Sequence, residues 1–143
     1  DRSAAALARE IESRFRESGS PTIDVLMAQS ARAIEANDLA LARDLLDAVV
    51  RLEPTYVEGW NRRAAVAFQV DEYGLAIADL ERALSLEPRH FGALTGLATL
   101  LRHLDRDEEA LRAYEAVLAL NPRDPDARKA QEELKRATHG LDL

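Results

Sequence analysis

A chain of 143 residues with 47% hydrophobic content can build one continuous core, so one folded unit is the default. Its formal net charge of -7 runs against nucleic-acid binding, because a phosphate backbone selects a concentrated excess of Lys and Arg. The absence of cysteine excludes thiol chemistry, disulfides and Cys-based metal sites, and no apolar run reaches the about 18 residues that a membrane span needs.

The first element covers residues 1–20. Ala4, Leu7, Ala8, Ile11 and Phe15 share one helical face, with Arg9, Glu10, Arg14 and Arg16 elsewhere, which reads as an N-terminal capping helix. Ser18 to Ser20 ends it. The chain starts at Asp1 without Met, so a processed form or an excised piece is expected, with room for a removed signal peptide or anchor.

A period then takes over. Leu52-Glu53-Pro54, Leu86-Glu87-Pro88 and Leu120-Asn121-Pro122 recur every 34 residues and divide 23–124 into three units, 23–56, 57–90 and 91–124. In this register Ala42 aligns with Ala76 and Ala110, Leu46 with Leu80 and Tyr114, and Val49 with Ala83 and Val117. Leu26 aligns with Trp60 and Leu94, and Ser30 with Ala64 and Ala98. Small residues recur where two helices must touch closely. Each unit reads as a helix, a tight turn and a second helix, near 23–35 and 38–52, 55–69 and 72–86, then 89–103 and 106–120.

The helix ends carry signals of their own. Thr55 with Glu58, and Asp105 with Glu108, read as capping boxes. Asn37, Asp71 and Asp105 align just ahead of each second helix, where an N-cap side chain belongs. Pro54, Pro88 and Pro122 are expected at or near the first position of the next helix, where a missing N–H costs little. Pro125 opens a last helix to about Ala137, apolar only at Ala127, Ala130 and Leu134. Residues 125–143 therefore read as a solvating C-terminal helix whose tail frays from Thr138. No segment reads as a strand, so the fold class is all-α.

With these residues in place, the sequence resembles the tetratricopeptide repeat family over 23–124, the pattern being carried by Trp60, Ala64, Tyr73, Ala76, Ala83 and Pro88 of the middle unit. It departs from the family at Arg63, where Leu is usual, at Ala67, where Tyr is usual, and at Asp107, where an aromatic is common. The resemblance implies a right-handed α-solenoid and a non-catalytic adaptor or scaffold for a protein or peptide partner. A secretion chaperone for a disordered client and an accessory subunit of an enzyme complex are the alternatives. Residues 18–22, 58–63 and 87–94 are similar to exported alpha-proteobacterial repeat proteins of unassigned role, which implies a periplasmic address, with the cytoplasm as the alternative.

No catalytic, metal or cofactor constellation stands out. His90, His103 and His139 share no metal spacing, the six glycines include no phosphate loop, and acids such as Asp107-Glu108-Glu109 read as solvated. The site expected is instead the groove lined by the first helix of each unit. Asn61, Arg62, Ala65, Phe68 and Gln69 face it from the second unit, and Gly92, Thr95, Gly96, Thr99, Arg102 and His103 from the third. Amides pair with backbone groups and guanidinium forks grip carboxylates, so an extended or acidic segment is the expected ligand. Glu58, one turn before Arg62, is an alternative partner for that arginine. Trp60 reads as core, and Phe68 equally as a lid over the core or an anchor for a partner. The two-carboxylate clamp of tetratricopeptide co-chaperones is missing: Met27, Ala31, Arg62, Gly92 and Gly96 stand where it needs Lys, Asn, Asn, Lys and Arg. Self-association through the convex face or the caps stays open.

Overall fold

The computed structural model describes residues 20–139, so the capping helix expected over 3–17 lies outside the described residues. Among the described residues the chain forms seven helices and no strand: α1 (Pro21–Glu35), α2 (Leu39–Leu52), α3 (Val57–Gln69), α4 (Tyr73–Leu86), α5 (Phe91–His103), α6 (Asp107–Leu120) and α7 (Pro125–His139). Each helix packs on the next in the chain, and α3 also touches α5 directly. This is the nearest-neighbour pattern of a stacked repeat. The last helix runs two residues past Ala137, with the Thr138 hydroxyl donating to Leu134 O at 2.8 Å.

The core sits in three clusters, one per helix pair and its neighbour. Ala42, Ala76, Ala110, Ala83 and Ala98 are fully buried, as their alignment requires. Gly59 is equally constrained: a Cβ there would stand 2.8 Å from Val49 Cγ1. Leu46, Leu80 and Tyr114 bury apolar side chains from the second helices. Trp60 is half-buried against the middle cluster, and its indole N–H donates to Pro54 O at 2.8 Å.

The turns differ from the expected caps in a consistent way. Asn37, Asp71 and Asp105 have φ of 57°, 61° and 59°, so they are left-handed stops after the first helices rather than N-caps of the second. Around each, two reverse hydrogen bonds close the helix, as in Asp38 N–H to Ala33 O at 2.8 Å and Asn37 N–H to Ile34 O at 2.9 Å. Asn and Asp are the residues, after Gly, that tolerate this conformation best, which explains their alignment. The capping boxes are absent. α3 starts after Tyr56 and α6 after Arg106, neither with a side-chain cap, because Thr55 lies in the preceding turn and Asp105 in the left-handed one. Pro54, Pro88 and Pro122 likewise lie in turns, three residues ahead of the helix starts at Val57, Phe91 and Pro125, and α3 and α5 begin two residues later than the expected 55 and 89. Glu53 O accepts from Tyr56 N–H at 3.1 Å, so Pro54 is the second residue of a β-turn, the place its fixed φ suits. Working side-chain caps are Ser20, Asp38, His90 and Asp124, the last accepting from Ala127 N–H at 2.9 Å.

Arg63 explains its own departure from the family pattern. It grips Asp79 through two hydrogen bonds of 2.9 and 2.8 Å and reaches Asp47 at 3.1 Å, tying α2, α3 and α4 together. Asp79 is 2% exposed. In the repeat register Asp79 aligns with Leu45 and Ala113, and Arg63 with Gln29 and Leu97, so the middle unit has an ionic pair where the third unit has an apolar one. The bond to Asp79 raises the pKa of the guanidinium further.

Two stability outcomes follow. Asp79→Ala leaves Arg63 facing a buried void and is expected to cost about 3 kcal/mol, whereas Arg63→Leu with Asp79→Leu is expected to recover most of that loss. Asp105→Val is expected to cost about 1–2 kcal/mol because a β-branched side chain resists positive φ, while Asp105→Gly should not destabilise. Urea titration monitored by circular dichroism checks both.

Candidate partner groove

The inner helices α3 and α5 diverge enough to leave a cleft of about 390 Å³. Asn61, Ala64, Ala65, Phe68 and Gln69 form one wall, Gly92, Gly96, Thr99 and Leu100 the other, and Ala76 and Leu80 of α4 the floor. Small residues create the depth. A Cβ on Gly96 would lie 3.6 Å from Leu80 Cδ2, in ordinary contact, so its absence opens space without leaving a backbone clash.

Seven of the eleven expected binding residues line this cleft: Asn61, Ala65, Phe68, Gln69, Gly92, Gly96 and Thr99. The other four lie outside the lining. Arg62 Nη1 donates to Met27 O at 2.9 Å and lies 3.4 Å from Ser30 Oγ, so it braces α3 on α1. Its alternative partner Glu58 is taken by His90, 2.7 Å away. Because His90 Nδ1 accepts from Ala93 N–H at 2.9 Å, the ring proton sits on Nε2 and points to that carboxylate. Thr95 Oγ1 is buried and has no partner among the described residues, whereas Thr99 donates to Thr95 O at 2.8 Å.

Arg102 leans toward the C-terminal helix and pairs with Glu133 at 2.8 Å. That hydrogen bond holds the Glu133 carboxyl below its ordinary pKa. His103 joins a group of three rings at the end of the cleft, 5.7 Å from Phe68 and 5.1 Å from Tyr73 between centroids. The Tyr73 hydroxyl donates to Asp71 at 2.9 Å and lies 3.2 Å from His103 Nε2. The bond to Asp71 raises the Tyr73 pKa and keeps the phenol protonated. Phe68 therefore belongs to a rim cluster, yet it remains 37% exposed and borders the cleft. Met27, which stands at a position of the co-chaperone clamp, is buried in the core.

The described residues contain no group of three or more His, Asp or Glu able to hold a metal ion, and no helix long and apolar enough to cross a membrane.

Comparison with known proteins places this architecture. The sequence model of the tetratricopeptide repeat matches residues 67–134. A tetratricopeptide-repeat-containing protein of Rhizobium etli is 41% identical over 76 residues, which cover 53% of this chain and 37% of that protein. The helix pairs have the tetratricopeptide-repeat fold. The chain spans little over a third of the length of that relative. Among solved structures, a MamA double mutant superposes with a TM-score of 0.81 at 21% identity, covering 86% of this chain and 69% of that one. The first tetratricopeptide domain of Spaghetti (RPAP3), solved with the HSP90 peptide SRMEEVD, gives 0.76 at 22% identity and covers 84% of this chain and 98% of that one. At such identities the likeness concerns the fold. It carries no ligand across.

The Arg102–Glu133 pair gives a direct check on these side-chain positions. Carboxyl-detected NMR titration should place the Glu133 pKa below that of a free glutamate in the wild-type protein and move it back toward the ordinary value in Arg102→Ala. Both side chains of the pair are solvent-exposed, so global stability should change little.

Proposed function

We propose that the chain is a non-catalytic adaptor that holds a protein or peptide partner on the inner face formed by α1, α3 and α5. The observation that carries this reading is the cleft between α3 and α5, where exposed amide and hydroxyl groups surround a floor of small and apolar residues. Such a surface binds without reacting. Amides offer both a donor and an acceptor to a backbone, and the missing side chains of Gly92 and Gly96 let a ligand main chain approach α5. The tetratricopeptide architecture supports the same role, since Spaghetti and yeast Sti1 have been solved in this fold with an HSP90 peptide and an Hsp70 ligand respectively.

A photo-crosslinking amino acid placed singly at Asn61 or Thr99 should capture a foreign polypeptide from extracts of the source cell. The same residue at Arg112, on the exposed side of α6, should not. Equal capture from Arg112, or none from the inner positions, would contradict an inner-face adaptor.

A further inference from the structure

The lining of the cleft between α3 and α5 contains no ionisable side chain. The arginines on its two walls are committed elsewhere: Arg62 to α1, Arg63 to Asp79 and Asp47, and Arg102 to Glu133. A carboxylate entering this space would lose water and meet no guanidinium, which is strongly unfavourable. An apolar side chain would gain by leaving water over Ala64, Leu80 and Leu100, with Phe68 beside it. The polar groups fit a backbone rather than a charge. Asn61 and Gln69 lie eight residues apart on one side of α3, about 12 Å along its axis. That is the reach of about three to four extended residues.

From this charge pattern we infer that the cleft is an anchor subsite for one large uncharged apolar side chain, aliphatic or aromatic, of an extended partner segment. The partner backbone pairs with Asn61 and Gln69 on either side of the anchor. This rests on the adaptor reading and replaces the acidic ligand suggested by the arginines in the sequence.

The test is selection of a displayed random-peptide library on the wild-type protein, followed by calorimetric titration of the selected peptides against wild type and Ala65→Leu. Ala65 is exposed, so leucine there narrows the cleft without entering the core; Gly96→Ala, whose Cβ has room, is the second variant. Unchanged circular dichroism establishes that both fold. The expected result is a shared position held by Leu, Ile, Met, Phe or Trp, with an affinity insensitive to added salt and reduced about tenfold or more by Ala65→Leu. Acidic peptides whose binding weakens with salt would overturn the anchor assignment while leaving the adaptor role intact, as would affinities unmoved by both variants. A selection that yields no binder also overturns it. Sedimentation of wild type and Ala65→Leu then shows whether a second copy of the chain fills the cleft, and crosslinking from Asn61 and Thr99 reads the adaptor role independently.

Discussion

How closely two helices may approach is the constraint on which the rest of this structure depends. At Gly59, Ala93 and Ala127, spaced by the repeat period, the front of one helix lies against the back of the unit before it, and all three are buried. Ala42, Ala76 and Ala110 do the same between the helices of one unit. Small side chains let the helix axes come close, and a single added methyl group is felt because interiors are already close-packed. The larger residues, Leu46, Val49, Leu80 and Val117, are then placed in the gaps that remain. Depth at the groove has the same origin. Where α3 faces α5, small residues reach the surface instead of the core, and the spacing that packs the array leaves the cleft.

The helices were legible because the period repeats the same decision three times. Any one alanine says little, but three at identical offsets identify a helix contact. Boundaries were less legible, for a local reason. An Asp or Asn after a helix and an Asp or Asn before one satisfy similar rules, since both conformations let a short polar side chain or a left-handed turn settle exposed backbone groups. Asn37, Asp71 and Asp105 belong to the first class, and Asp38 beside Asn37 to the second, a distinction of one residue. Proline is ambiguous in the same way, fitting both the first turn of a helix and the second place of a β-turn.

The groove was read in outline and not in its charges. Backbone register puts Asn61, Ala65, Gln69, Gly96 and Thr99 on the inner face, and their short side chains stay where the backbone puts them. Arginine does not, because its several rotatable bonds carry the guanidinium to another helix. Arg62 and Arg102 reach groups 35 and 31 residues away in sequence, farther than a helical pattern can describe. The signal for Arg63 was present, since Asp79 stands where both neighbouring units have an apolar residue and Arg63 where the third unit has Leu97. Two departures of opposite sign in one unit are more informative together than either alone.

Every unit presents nearly the same back to its successor that it received from its predecessor, and contacts beyond the neighbouring unit are few. The array is therefore self-complementary along its axis. Duplicating or deleting one period in the gene would leave each remaining junction chemically unchanged, so length is a property that evolution can alter in whole steps without redesigning the interior. The Arg63–Asp79 pair, which binds Asp47 of the unit before it, breaks this equivalence at one junction, and the contact of His103 with Tyr73 breaks it at the next. At those places a unit is matched to its neighbour by side chains that the other copies lack.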